Sequence, residues 1–298
     1  QGMEGMLDTA LAACGIKSRN SDGLTMGYAR LSAGRTSVII DAGPPATGNA
    51  SYNAHASTLA FELTSGRRPL IVSCGSGAHL GPDWHRAGRA TPSHSTLCLG
   101  GYSSARLGKP VKTSGLFREF LVEAPKIVPV EMSQTAEGVK FEGAHSGYVP
   151  PFGLTHARKL SLSLDGRSLV GEDLLIALND TTGKAAETVL SEDIGPNVDF
   201  QIRFHLHPEV DAALDLGGTT VAIAAKSGEI WIFRHESSLF LTIEPGVYLE
   251  KNQPTPRASR QIVLSGMVND ALTRAQWSLS KTQDTAMAIR DLRLEELR

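Results

Sequence analysis

Cysteine is scarce: Cys14, Cys74 and Cys98 are the only 3 in 298 residues. An odd number makes a poor disulfide framework, and a chain of this length can build a core without cross-links. Each sits in an apolar setting, where a buried, inert thiol is the ordinary outcome. An excess of charge is missing too. The 29 Lys and Arg face 31 Asp and Glu, a formal −2, so no positive field draws nucleic acid. No uncharged apolar run approaches the roughly 18 residues of a membrane span, so membrane insertion is not expected. There is no Gly-rich loop ending in Gly-Lys-Ser/Thr, no Gly-x-Gly-x-x-Gly after a strand and no Gly-x-Ser-x-Gly elbow. Nucleotide chemistry and serine hydrolysis lose their usual motifs, and a paired-Cys zinc knuckle is lacking as well. The start, Gln1-Gly2-Met3-Glu4, has neither an initiator Met nor the basic and apolar regions of a signal peptide. The expectation is a chain that begins inside a longer protein.

What is present points to β structure. Hydrophobic residues make up 41%, enough for a packed core, and 30 Gly with 15 Pro provide many turns. One helical period opens the chain: Met6, Leu7, Ala10, Leu11 and Cys14 recur at helix spacing, with Gly15 as a stop. After it come short alternating runs. Lys159 to Leu164 puts Leu160, Leu162 and Leu164 on one face; Asp199 to His205 does the same with Phe200, Ile202 and Phe204. Thr36 to Asp41, Leu70 to Ser73, Thr58 to Leu63, Ser95 to Leu99, Leu116 to Val122 and Lys126 to Met132 are further strands. So are Thr219 to Ala224, Glu229 to Arg234, Leu239 to Ile243, Arg260 to Leu264 and Ala275 to Leu279. Asp165-Gly166, Gly217-Gly218, Ser227-Gly228 and Pro245-Gly246 mark turns between them. Many strands with almost no helix between them exclude an alternating βαβ layout and predict an all-β fold, a large antiparallel multi-stranded β-sandwich with short terminal helices. The expected domains are a helical linker over 1–23, the sandwich over 24–281, and a helical or frayed tail over 282–298.

Histidine carries most of the candidate chemistry. His55 and His94 each stand beside a strand, His79 and His85 lie in the loop between them, and His145 and His156 flank Gly147-Tyr148. His205 and His207 share one strand face, where they either chelate a metal or meet water at a strand end. Trp231, between Ile230 and Ile232, reads as core rather than as a sugar-stacking ring.

The order of segments is more specific than any one of them. Asn53-Ala54-His55-Ala56 precedes Leu59-Ala60-Phe61-Glu62-Leu63, then Leu70-Ile71-Val72-Ser73-Cys74-Gly75, then Arg89-Ala90-Thr91 with His94-Ser95-Thr96. His145-Ser146-Gly147-Tyr148, His156-Ala157-Arg158 and Arg203-Phe204-His205-Leu206-His207-Pro208 follow. This series resembles the carboxyl-terminal domain of heparinase II/III-like polysaccharide lyases, over roughly Gly27 to Leu279. The resemblance implies a β-sandwich paired with an amino-terminal α/α toroid, with the substrate cleft between them. It also implies β-elimination on an acidic, uronate-containing polysaccharide, in a bacterial periplasm or cell envelope. No signal peptide marks this segment, so the cytoplasm stays open.

In that family the toroid supplies a Tyr and a carboxylate-binding Asn or His. The sandwich supplies a His in a His-x-His pair and holds zinc through the second His, an Asp and a later His. Carried over, His55 matches the second His and His94 the later ligand. Asn53 occupies the catalytic position, where it can hydrogen-bond but cannot shuttle a proton. Ser57 replaces the Asp after the pair. Ser73 stands at the metal-ligating Asp, beside Cys74, whose thiolate can substitute only if it faces the histidines; strand neighbours face opposite ways. The two readings are a zinc site on His55, His94 and Cys74, or a metal-free His55–His94 cluster. Arg89 and Tyr148 are the substrate-binding candidates, the alternatives being a loop anchor for Arg89 and a packed corner for Tyr148. Without its toroid the chain is expected to be incomplete as a catalyst. Rival readings are a non-catalytic glycan-binding module and a structural or interaction module.

Overall fold

The computed structural model describes residues 24–113, 115–177, 198–236, 238–268 and 271–283. Among them, alternating apolar residues become the inner faces of two eight-stranded antiparallel sheets. The first runs β1 (Tyr28–Ala33), β2 (Thr36–Asp41), β3 (Phe61–Ser65), β4 (Arg68–Val72), β14 (Val198–Leu206), β19 (Arg257–Val268) and β18 (Phe240–Tyr248), with β5 (Leu97–Leu99) also on β14. The second runs β10 (Val130–Gln134), β11 (Gly138–His145), β12 (Leu154–Ser163), β13 (Ser168–Ala177), β20 (Leu272–Gln283), β17 (Ile230–His235), β16 (Thr220–Ala225) and β15 (Val210–Asp215). Two small hairpins, β6 (Arg106–Leu107) with β9 (Leu121–Glu123) and β7 (Val111–Thr113) with β8 (Leu116–Arg118), lie outside the sheets. Two short helices, α1 (Pro82–Arg89) and α2 (Val149–Phe152), occupy connections.

The sheets meet over an aromatic centre. Phe61 of the first stacks on Trp277 of the second at 5.5 Å between centroids, and Phe204 meets the same indole edge-on at 4.8 Å. Gly171, opposite Trp277 in register, makes room for it; a Cβ there would lie 2.1 Å from Trp277 Cζ2. Trp231 is buried and its Nε1 donates to Glu229 Oε1, so it belongs to the core, as expected.

A charged network is sealed into the second sheet. The Gly147 N–H donates to His145 Nδ1 at 3.0 Å, which leaves His145 protonated on Nε2. That nitrogen donates to His156 Nδ1 at 3.2 Å, and His156 Nε2 in turn donates to Asp173 Oδ1 at 2.8 Å. Asp173 also accepts Arg158 Nε (2.8 Å), Arg158 Nη2 (3.1 Å) and Trp277 Nε1 (2.9 Å). Burial on its own would raise the Asp173 carboxyl; the Arg158 guanidinium and the His156 ring outweigh it and hold it below the ordinary carboxylate range. Arg158 then reaches across the sandwich, where Nη1 donates to the carbonyls of Leu59 (2.7 Å) and Ser95 (3.0 Å). The loops that carry His55 and His94 are thereby tied to the opposite sheet.

The sequence reading omitted β1, β6, β7, β11, β13, β15 and both helices, α1 and α2. β13 reads Ser-Leu-Val-Gly-Glu-Asp-Leu-Leu-Ile-Ala; a Gly and two acids break its apolar pattern, yet one acid is the buried Asp173. The expected strand Leu116 to Val122 divides into β8 and β9 around Glu119-Phe120. The expected helix at Met3 to Cys14, all of the 1–23 segment and the tail from 284 lie outside the described residues.

Candidate functional site

Beyond the outer face of β1–β3 lies an open groove of about 580 Å³, walled by the loops around 43–57 and 73–76. It brings together Asn53, His55, Ser57, Ser73 and His94 with Tyr28, Asp41 and Glu62. A second hollow of about 500 Å³, lined by Tyr248, Glu250 and Lys251, adjoins it and shares Glu62, Ser73, Gly75 and Ser76. The first three sequence candidates, Asn53, His55 and His94, therefore do converge.

Asn53 ends a single-turn helix, Gly48–Asn53, and is exposed. That turn is held by Arg89, which is 1% exposed. Its Nε donates to Ala54 O (2.8 Å), its Nη2 to Ser51 O (2.6 Å) and its Nη1 to Glu119 O (3.0 Å). Arg89 is thus the loop anchor, and its substrate-binding assignment is corrected: three carbonyls occupy the guanidinium. Tyr148 needs the same correction. It is fully buried in the core and its hydroxyl donates to Leu97 O at 2.7 Å, so no ligand in the groove reaches it.

His55 Nδ1 and His94 Nε2 lie 3.2 Å apart, close enough for one ring to donate to the other. Burial, then the Arg89 charge, lowers the His55 pKa to about 4, and burial with His55 beside it drives His94 well below its ordinary value. Both rings are neutral near pH 7. His94 Nδ1 is left without a hydrogen-bond partner.

A metal asks for a third ligand. Two nitrogens about 3.3 Å apart suit neighbouring corners of a zinc tetrahedron, which the pair nearly matches. Strand alternation, however, turns Ser73 to the groove and Cys74 away from it. His205 Nε2 donates to Pro92 O at 2.8 Å, so its Nδ1 is free to accept the Cys74 thiol, 3.4 Å away. Burial raises the Cys74 thiol to about 11, which keeps it protonated. Cys74 is therefore corrected from metal ligand to buried hydrogen-bond donor. Among the described residues no three His, Cys, Asp or Glu side chains form a metal-binding group. Two neutral imidazoles and a serine hydroxyl do not fit zinc. His205 and His207 are not a chelate either, since His207 packs edge-on against Tyr248 at 5.1 Å.

The sequence reading missed Asp41 and Glu62 as groove residues. Asp41 Oδ2 accepts the Ser57 hydroxyl at 2.5 Å; Glu62 Oε1 accepts the Ser73 N–H at 3.1 Å. Only the pairing of β2 with β3, absent from any local pattern, brings them onto one face. The first hollow is lined by these two carboxylates and by no Lys or Arg.

A family model described as heparinase II/III-like, C-terminal, matches residues 16–282. FtsZ-localized protein C of Caulobacter vibrioides is 32% identical over 267 residues, 86% of this chain and 42% of that protein. A mutant of the heparan sulfate lyase HepC from Pedobacter heparinus shares the fold at TM-score 0.64 and 14% identity, over 93% of this chain and 39% of that one. A heparinase III gene product with methylated lysines gives 0.62 at 14% identity, over 94% and 39%. The chain spans less than half the length of each of these relatives. Sequence order, two packed antiparallel sheets and the family match agree: the chain belongs to the heparinase II/III-like C-terminal family.

Proposed function

We propose that this chain is a non-catalytic module, a heparinase-type sandwich that has kept the groove and lost the chemistry. The observation that carries the proposal is the groove's composition. β-Elimination at a uronate needs a group to take the C5 proton and donors, from Asn, His or Arg, to neutralise the sugar carboxylate. Asn53 has no titrating group, His55 and His94 are buried with depressed basicity, and the donor set for a metal is incomplete. Asp41 and Glu62 repel a sugar carboxylate on this side of the cleft. An α/α toroid on the same polypeptide would bring the Tyr and the carboxylate-binding Asn or His that the family resemblance implies, but not the groups missing from this half. The test mixes the full-length protein with heparan sulfate and other uronate polysaccharides and follows the ultraviolet absorbance of the unsaturated product. A flat trace is expected. A sustained rise, lost on removing Asn53 or His55, would restore the lyase reading.

The stronger sequence identity is with a protein named for its FtsZ localization, at 32%, against 14% for the lyases. That contrast supports a role at the bacterial division site. A fluorescent fusion of the full protein should co-localize with FtsZ in dividing cells; an even distribution along the cell would count against this role.

A further inference from the structure

We propose that the groove binds a cationic peptide segment, one whose Lys or Arg side chains are seated between Asp41 and Glu62. The inference rests on the non-catalytic reading and names the partner of that same groove. Two features converge. The first is charge: Asp41 and Glu62 face the groove with no ion pair among the described residues. Neighbouring charges leave this pair uncompensated. Arg30, opposite Ile39 on the same sheet face, turns its Nε to the hydroxyls of Ser32 (2.9 Å) and Ser37 (3.1 Å). Glu250, in the adjoining hollow, is paired with Arg257 at 2.7 Å, and Lys251 is exposed at that far end.

The second feature is the wall. Met26, Tyr28 and Ile39 are 93%, 51% and 38% exposed, and Pro44 and Pro45 complete an apolar flank beside the carboxylates. Long cationic side chains lay their methylene stems on such a surface and extend only the charged head. Tyr28 and Tyr248 stand on either side of Glu62, one in each hollow, and an aromatic ring next to a carboxylate favours an organic cation. The aliphatic and proline wall favours a peptide over a cationic sugar, and the two adjoining hollows suit an extended chain.

The test is fluorescence anisotropy of the full chain with a labelled peptide alternating arginine and leucine. A glutamine–leucine peptide and a glucosamine oligosaccharide serve as competitors. The arginine peptide should bind, weaken as salt rises, and be displaced by neither. Glu62→Gln should weaken it by about fivefold, the size of one partly exposed charge contact, and Glu62→Lys should abolish it. Glu62 is exposed, so both variants should fold; Asp41→Asn, which disturbs the Ser57 bond, is the second probe. Binding unchanged in Glu62→Lys, no binding, or displacement by the glucosamine oligosaccharide would overturn the proposal. Lyase activity is a separate readout: product with no peptide binding refutes both readings, whereas neither product nor peptide binding refutes this one alone.

Discussion

The strongest single perturbation of the fold is predicted at Asp173. Its two oxygens accept four hydrogen bonds, two from Arg158, one from His156 and one from Trp277. All of these side chains are buried, so no water replaces a lost partner. In Asp173→Asn an amide NH2 takes the place of one oxygen. It then points a donor at donors, and Arg158 keeps its charge with no counter-ion. Breaking a buried pair from one side costs about 3–5 kcal/mol. Domains are stable by about 5–15 kcal/mol in total, so the variant should lose a large part of its margin. Removing both charges together, in Asp173→Leu with Arg158→Met, should cost less than the single change, because no charge is left stranded. Urea denaturation followed by circular dichroism measures both. A loss below about 1 kcal/mol in Asp173→Asn, or a double variant worse than the single one, would refute the argument that the network is a satisfied ion pair.

Four further outcomes follow from the structure. His55 and His205 both fall to about 4 in the folded state, so between roughly pH 6.5 and 4 the unfolded chain binds more protons than the native one. Stability from these rings is present above the upper value and lost as pH falls through that window; urea midpoints should drop there, and His205→Asn should flatten the slope. Gly171→Ala would place a methyl 2.1 Å from the Trp277 ring and should cost about 1–3 kcal/mol in a denaturation curve, with a wild-type midpoint contradicting the packing. Cys74, 4% exposed with its pKa raised to about 11, should resist alkylation at pH 8 until the protein unfolds; rapid native labelling detected by mass spectrometry would contradict its burial. Arg89→Ala should lower the melting temperature, because three carbonyls lose their donor, and an unchanged melt would contradict its role as the loop anchor.

Local pattern revealed the strands whose faces differ in polarity. Thr36 to Asp41 coincides with β2, and Leu160, Leu162, Phe200, Ile202 and Phe204 are all buried, as their alternation requires, whereas Leu164 lies past the end of β12 and is 52% exposed. It failed where burial is two-sided or paid for by pairing: β13 carries Gly171 for the sake of Trp277 and Asp173 for the sake of Arg158, neither of which is near in sequence. The site shows the same division. Asn53, His55 and His94 were readable as one cluster because family order, not spacing, linked them, and they do line one groove. For Arg89 and Tyr148 a ligand role stood open beside a loop anchor and a packed corner, since a polar side chain in a loop does not announce which carbonyls it will find. Asp41 and Glu62 were invisible, because their proximity is a property of strand register.

A groove that has lost its chemistry, as proposed, turns over no uronate polysaccharide. The most direct measurement is the ultraviolet assay for unsaturated product on the full-length protein with uronate polysaccharides, with and without added zinc. The account predicts no product in either condition. Turnover that requires His55, His94 or Asn53 would contradict it.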